Sequence, residues 1–176
     1  IKNTIDNVIS FRKIMSNQKI LLFSTSGRVY TIDPNNLPSG NSKARNFIFF
    51  VESNTNDKAI NILPYTDDLK CIIASVYGKG FIADLSEIKT TQKKGKQLFN
   101  LKTGDKLLTI SNKVNSHIAC VNNKSKLLIF LTKDLPVLKK GGGVQLQKIK
   151  IDDKLSDIQT FNLSDGVTWK TGTQLR

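Results

Sequence analysis

The stretch that decides the fold is Lys19-Ile20-Leu21-Leu22-Phe23-Ser24-Thr25-Ser26-Gly27-Arg28-Val29-Tyr30-Thr31-Ile32. Aliphatic and aromatic residues form a run on each side of residues 25–28, and such residues favour the half-buried surface of a β-sheet. The small polar residues and Gly27 between the two runs permit a tight turn. The stretch therefore predicts a β-hairpin that carries a cation, Arg28, at its tip.

The same hairpin pattern recurs along the chain. Apolar runs flank Gly78-Lys79 and Ser125-Lys126, and a looser match is centred on Gly172-Thr173, so the tips follow one another at steps of 51, 47 and 47 residues. The strands predicted for the second and third hairpins are residues 71–75, 80–85, 117–121 and 127–131. An acidic turn residue keeps nearly the same period, with steps of 51, 48 and 48 residues between Asp6, Asp57, Asp105 and Asp153. Two markers with one period indicate an internal repeat.

The length of the repeat predicts the fold class. Each repeat contains about four short strands and no amphipathic helix, and a period of roughly 40–50 residues is typical of propeller blades. Further strands are predicted at residues 7–11, 47–51 and 59–63. We therefore expect an all-β, propeller-like fold of about four blades, each with about four antiparallel strands.

The repeats also predict the domain organisation. We expect a single domain over residues 1–176, with approximate repeats at residues 6–56, 57–104 and 105–152 and a partial repeat at 153–176. Because open sheet edges promote aggregation, we expect the ring to be closed or nearly closed, by pairing of residues 8–11 with the region 166–175. The sequence does not begin with Met, so we expect it to be part of a longer chain.

The charge balance indicates a polyanionic partner. The chain has 27 basic residues against 14 acidic ones, which gives a formal net charge of +13. An excess of this size raises the local concentration of nucleic acid around a protein. Nearly all of the cations are Lys, which binds phosphate as a point charge, whereas forked readout of bases prefers Arg. We therefore expect contacts to the nucleic-acid backbone without sequence readout, although a composition bias towards Lys, Asn and Ile would also produce such a charge.

Three connector loops carry many of these cations, each placed between a hairpin and the third strand of its repeat. They span residues 41–45, 91–97 and 139–147. Equivalent loops in a ring of blades lie on one rim, so the three loops would form one positive track for phosphates. The cations at the hairpin tips form a second periodic set that would line the same track. The candidate binding residues are Arg28, Lys43, Arg45, Lys79, Lys93, Lys94, Lys96, Lys126, Lys139, Lys140 and Lys148.

No combination of residues predicts catalysis or a bound cofactor. His117 is the single histidine, and Cys71 and Cys120 stand alone within apolar runs, so neither a nucleophile with its base nor a zinc site is indicated. We interpret both cysteines as buried free thiols and the periodic Asp residues as turn caps. The glycines at residues 141–143 lack the spacing of a phosphate-binding P-loop. No apolar run approaches the roughly 18–20 residues of a membrane-spanning helix.

A family resemblance appears in the first hairpin and in the last repeat. The first hairpin, followed by Leu37-Pro38, resembles the repeat of the C-terminal domain of bacterial type IIA topoisomerase A subunits. Three later segments are similar specifically to the topoisomerase IV branch of that family: Gly142-Gly143-Val144-Gln145-Leu146-Gln147-Lys148, Leu155-Ser156-Asp157-Ile158-Gln159-Thr160-Phe161 and Gly166-Val167-Thr168-Trp169. The resemblance implies a β-pinwheel, in which each blade exchanges its outer strand with a neighbour and DNA bends around a basic rim.

The resemblance also implies a role and partners. The domain would bind and bend duplex DNA without catalysing its cleavage, and would present it for strand passage. Its partners would be the ATPase B subunit of a heterotetramer, together with the rest of the A subunit, in the bacterial cytoplasm at the nucleoid. ATP and Mg²⁺ would serve other domains. The DNA-cleaving Tyr of such enzymes lies beside an Arg in another domain, and Tyr30, Tyr65 and Tyr77 have no such neighbour.

Two alternatives remain open. The C-terminal domain of the gyrase A subunit wraps DNA and carries a box of the type Gln-Arg-Arg-Gly-Gly-Lys-Gly, of which Lys139-Lys140-Gly141-Gly142-Gly143 is a partial match. A propeller-type protein-interaction scaffold would instead scatter its basic residues over the surface.

Overall fold

The computed structural model describes residues 12–40, 42–43, 45–150, 152–168, 170–171 and 174–175. Strands dominate this part of the chain, and its helices are three short 3-10 turns, at Pro34–Asn36, Phe47–Phe49 and Thr132–Asp134. None of the described helices is long and apolar enough to span a membrane. The strands are β1 (Ile20–Ser24), β2 (Arg28–Ile32), β3 (Ala59–Pro64), β4 (Lys70–Ser75), β5 (Lys79–Asp84), β6 (Lys96–Gln97), β7 (Leu107–Ser111), β8 (His117–Asn122), β9 (Leu127–Leu131), β10 (Val137–Leu138), β11 (Val144–Gln145), β12 (Leu155–Phe161), β13 (Lys170–Thr171) and β14 (Gln174–Leu175). The all-β prediction is confirmed.

Three hairpins form where the sequence predicts them: β1–β2, β4–β5 and β8–β9. Each turns at a residue with positive φ, which is 77° at Gly27, 75° at Gly78 and 58° at Ser125. The N–H of each of these residues donates to the carbonyl oxygen three residues earlier, at 3.0 Å in all three cases. The turns are therefore equivalent, as the sequence spacing indicates. The tip predicted at residues 172–173 lies outside the described residues.

The hairpins form the centres of three sheets, which we call the first, second and third blades. The strands β3, β7 and β12 pair antiparallel with β1, β4 and β8. On the outer side, β6 pairs with β2 and β11 pairs with β5, and both come from the connector that follows the next hairpin in the chain. This is the strand exchange that the resemblance implies. The short strand β10 pairs parallel with β5, an exception to the antiparallel prediction.

The blades pack face to face because successive side chains of a strand point to opposite sides. Phe23 of β1 and Ile73 of β4 lie in the core between the first and second blades. On the other face of β4, Ile72 packs with Ile118 and Cys120 of β8 in the core between the second and third blades. Both cysteines are free and buried, as predicted.

The segment at residues 47–51 is not a strand, so the prediction from its aromatic and β-branched composition was wrong. It contains the 3-10 turn at Phe47–Phe49, in which the Asn46 side chain accepts a hydrogen bond from the Ile48 N–H at 3.2 Å. The equivalent connector strands β6 and β11 each pair with the hairpin one repeat before the hairpin that they follow, but no described hairpin lies one repeat before β1 and β2. Without a partner strand, the local cap decides the backbone conformation.

Closure of the ring is not detected in the part of the chain that the structure describes. The last two strands, β13 and β14, pair with each other. Residues 8–11, which were predicted to close the ring, lie outside the described residues, as does Asp6. Three blades and one hairpin are therefore described, and closure stays a prediction.

Candidate nucleic-acid interface

The second basic loop, residues 91–97, makes a tight turn that exposes two of its lysines. Gly95 has a φ of 63°, and a Cβ at this position would lie 2.5 Å from the carbonyl oxygen of Val29 in the first blade. Glycine is therefore needed for the loop to approach the blade this closely. Lys93 and Lys94, which precede Gly95, are exposed to solvent.

Arg28 holds this loop against the first blade. Its Nε donates to the Lys94 carbonyl oxygen at 2.9 Å, and its Nη2 donates to the Gly95 carbonyl oxygen at 3.4 Å. Its Nη1 donates to Gln97 Oε1 at 3.1 Å. The planar guanidinium thus spans three acceptors of the exchanged segment, which a lysine ammonium would not match in geometry. The observed role of Arg28 is structural, and its predicted contact with DNA stays a prediction.

Two glutamines fasten the exchanged strands to the hairpin tips. Gln97 Nε2 donates to the carbonyl oxygens of Ser26 at 3.0 Å and Phe99 at 2.7 Å. One repeat later, Gln145 Nε2 donates to the carbonyl oxygen of Gly78 at 3.1 Å. The sequence reasoning missed both residues, although their separation of 48 residues equals one period and was a usable signal.

The second and third basic loops meet around one cavity of about 300 Å³. Lys96 comes from the second loop, and Lys139 and Lys140 come from the third. The backbone just after the second loop contacts the third loop, because the Asn100 N–H donates to the Gly141 carbonyl oxygen at 2.8 Å. Two of the three predicted loops are thus brought together. The residues lining the cavity are Asp84, Glu87, Ile88, Lys96, Gln97, Lys139 and Lys140.

Two carboxylates share this cavity with the lysines. Lys139 Nζ lies 2.6 Å from Glu87 Oε1, and Lys96 Nζ donates to the Glu87 backbone carbonyl oxygen at 2.7 Å. The hydrogen bond to Glu87, together with its negative charge, raises the pKa of Lys139. Hydrogen bonds from the backbone and side chain of Ser86 lower the pKa of Asp84. The cavity therefore holds charges of both signs, and the sequence reasoning did not single out either acid as part of a site.

The remaining candidate residues do not line this cavity. Lys43 and Arg45 are exposed in the first loop, in which residues 41 and 44 lie outside the described part. Lys126 and Lys148 are exposed, and Lys79 is half-buried as the first residue of β5. Their contacts with nucleic acid stay predictions.

The periodic aspartates contact the tips of the hairpins. Asp57 accepts a hydrogen bond from the Ser26 N–H at 3.0 Å, and Asp105 accepts one from the Tyr77 N–H at 3.0 Å. Asp153 forms an ion pair with Lys124 at the third tip. Because these aspartates serve different blades, the contacts favour turn caps over a shared metal site.

The buried thiols are not reactive groups. Burial raises the pKa of Cys71 to about 12. Burial, with a smaller contribution from the charge of Asp157, raises the pKa of Cys120 to about 12. Because the thiolate is the nucleophilic form, both cysteines act as apolar core residues at neutral pH.

Comparison with known proteins identifies similar sequences. The sequence model of the family described as "DNA gyrase C-terminal domain, beta-propeller" matches residues 18–45, 70–112 and 116–162. The A subunit of DNA topoisomerase 4 from Rickettsia bellii (strain RML369-C) is 35% identical over 158 residues, which are 90% of this chain and 21% of that protein. The corresponding protein from Caulobacter vibrioides is 30% identical over 151 residues, 86% of this chain and 20% of that protein. The chain spans about a fifth of the length of these curated relatives.

Solved structures show the same fold. The structure of the E. coli ParC C-terminal domain has a TM-score of 0.71 and 25% sequence identity, and the match covers 81% of this chain and 62% of that one. The crystal structure of the C-terminal domain of DNA topoisomerase IV has a TM-score of 0.76 at 16% identity, covering 83% of this chain and 48% of that one. At that identity the second likeness concerns the fold alone.

Proposed function

We propose a DNA-binding function for this chain, which belongs to the family of DNA gyrase C-terminal domains with a beta-propeller fold. In this proposal it is a non-catalytic domain of a topoisomerase IV A subunit that binds and bends duplex DNA along a basic rim. The observation that carries the proposal is the meeting of lysines from two successive basic loops around one cavity, in a chain with a net charge of +13.

The proposed mechanism is neutralisation of phosphates by lysines held in place. Arg28 and Gln97 tie the second loop to the first blade, so that Lys93 and Lys94 are presented from a fixed backbone. Such preorganisation reduces the entropy lost on binding. Lysine ammonium groups displace condensed counterions from the phosphates without reading the bases. Because the loops belong to successive blades of a propeller, DNA that follows them changes direction from blade to blade.

The role in the whole protein is part of the same proposal. The chain would present a DNA segment to the strand-passage core, which an ATPase B subunit forms together with the rest of the A subunit. It would need no cofactor of its own, with ATP and Mg²⁺ used by other domains. Its place would be the bacterial cytoplasm, at the nucleoid. The names of the curated relatives, which are A subunits of DNA topoisomerase 4, support this context.

A salt series tests the proposal directly. Fluorescence anisotropy with a labelled duplex should show binding at low salt, and the logarithm of the affinity should fall linearly with the logarithm of the salt concentration. Duplexes of unrelated sequence should bind alike. Absence of binding at low salt, or an affinity that salt does not change, would contradict the proposal.

Replacement of three loop lysines tests where the DNA lies. Changing Lys93, Lys94 and Lys96 to Ala should weaken the binding of every duplex by about tenfold or more, a change of roughly 1.4 kcal/mol. The salt slope should fall by about 0.9 for each phosphate that the variant no longer neutralises. The matched control changes three exposed lysines of another segment, Lys102, Lys106 and Lys113, to Ala. An equal loss of affinity in both variants would indicate general attraction by net charge and no defined track.

A further inference from the structure

We propose that the cavity between the second and third basic loops is a phosphate-anchoring subsite for duplex DNA, and that Glu87 occupies it when DNA is absent. This inference rests on the proposed DNA-binding function and names both the group bound at that surface and the residue that limits its binding.

Lysines from two loops line the same cavity. Lys96 lies on β6, and Lys139 and Lys140 follow β10, so the three come from connectors about one repeat apart. Like charges repel one another unless an anion lies between them. The cavity of about 300 Å³ is large enough to accept a phosphodiester group among these lysines.

Glu87 supplies that anion within the chain. Its Oε1 lies 2.6 Å from Lys139 Nζ, and its backbone carbonyl oxygen accepts from Lys96 Nζ at 2.7 Å. Two oxygens of one residue thus contact two lysines, as two oxygens of a phosphodiester would. Only Oε1 belongs to the carboxylate, so the carboxylate takes the place of a phosphate oxygen at Lys139, and the contact with Lys96 is made by the backbone.

Glu87 is also free to leave the cavity. Its side chain is 72% exposed, and that of Lys139 is 60% exposed. An ion pair between exposed side chains contributes little to stability, because water screens both charges. Duplex DNA has the additional advantage of counterion release, so its phosphate should displace the carboxylate.

The second acid of the cavity is held more firmly. Asp84 Oδ1 accepts from the Ser86 N–H at 3.0 Å, so its carboxylate caps the turn after β5. Lys70 and Lys139 act on Asp84 only through their charges. Glu87 is therefore the anion whose removal should open the subsite.

The test compares two charge-removing variants. Anisotropy with a labelled duplex at low salt should show that Glu87→Gln lowers the Kd by about two- to fivefold, the scale of one exposed ion pair. The control is Asp67→Asn, because Asp67 is 90% exposed and its Oδ1 lies 3.6 Å from Lys89 Nζ, outside the cavity. Both variants raise the net charge by one, so any gain in affinity specific to Glu87→Gln reports the subsite.

A double variant decides whether Glu87 acts through Lys139. In a Lys139→Ala background, Glu87→Gln should lose most of its gain in affinity. An equal gain in Glu87→Gln and Asp67→Asn, or a gain that persists in the Lys139→Ala background, would overturn the inference while leaving the DNA-binding function intact. Absence of wild-type binding at low salt would instead overturn the proposed function, and the inference with it.

Discussion

The second and third blades contain equivalent hairpins in different surroundings. In the second blade, β11 from the next connector pairs with the outer strand β5, whereas β9 of the third blade pairs only with β8 among the described strands. Phe81 of β5 and Leu128 of β9 each lie two residues after the lysine at the hairpin tip. Phe81 is 0% exposed, whereas Leu128 is 40% exposed. The hairpin itself is therefore a local structure, whereas burial of its outer strand differs between the two blades.

The largest expected effect is the difference in stability lost when Phe81 or Leu128 is truncated to Ala. Phe81 packs edge-on against Phe99 with ring centroids 5.2 Å apart, in the core between the first and second blades. Phe81→Ala should therefore lower the free energy of unfolding by about 3–5 kcal/mol. Leu128→Ala removes a side chain that is already half in water and should cost less than about 1 kcal/mol. Urea denaturation of both variants measures the difference.

An equal loss of stability in the two variants would contradict the predicted difference between the blades. It would mean that the outer strand of the third blade is covered in solution as completely as that of the second. A large difference would confirm that equivalent hairpin positions differ in burial, with Phe81 covered by the core between the first and second blades.

The hairpin tips should show a second difference, of intermediate size. A Cβ at Gly27 would lie 2.6 Å from the Phe99 carbonyl oxygen, and φ at Gly27 is 77°. Gly27→Ala should therefore cost about 2–4 kcal/mol, from left-handed strain and from overpacking.

The equivalent Ser125 is exposed and already has a φ of 58°. Ser125→Gly relieves this strain but increases the freedom of the unfolded chain, so stability should stay constant or rise by up to about 1 kcal/mol. Thermal unfolding of both variants, followed by circular dichroism, tests the pair. A clear loss of stability in Ser125→Gly would show that the side chain at the open tip makes a contact of its own.

Local patterns in the sequence were sufficient for much of the fold. The three hairpins and their tight turns depend on residues that are neighbours in the chain, such as Ser24 and Gly27, and the hairpins were predicted correctly. The strand predicted at residues 47–51 failed because a strand also needs a partner, and composition does not show whether one is available. The parallel strand β10 was missed for the same reason.

The candidate site was predicted less completely than the fold. Net charge and loop position pointed to Lys96 and Lys139, which the structure places around one cavity. Glu87 was missed because its contact with Lys139 joins residues 52 positions apart, which no local pattern encodes. Gln97 and Gln145 are separated by one repeat. They were not predicted because an uncharged side chain in a basic loop is not an obvious ligand for phosphate.

The smallest expected difference concerns how the tips of the first and third blades are held. In the first blade, Asp57 accepts hydrogen bonds from Thr25 Oγ1 at 2.7 Å and from the Ser26 N–H at 3.0 Å. In the third blade, the neutral amide of Asn122 accepts from the Lys124 N–H at 3.0 Å. In the first blade the Asp57 carboxylate caps the tip directly, whereas the third tip combines the Asn122 amide with an ion pair between Lys124 and Asp153.

The pH dependence of stability tests the contribution of the Asp57 carboxylate. Burial acts to raise the pKa of Asp57, but hydrogen bonds from Thr25, Ser24 and Ser26 outweigh it and leave the pKa below the ordinary value of 3.8. The folded state therefore binds this proton less readily than the unfolded state, and the stabilisation is present above pH 3.8 and lost as the pH falls through the folded pKa. Asp57→Asn should cost about 1–2 kcal/mol at neutral pH and flatten the loss of stability in acid. If urea unfolding shows the same acid sensitivity in Asp57→Asn as in the wild type, the carboxylate is not what holds the first tip.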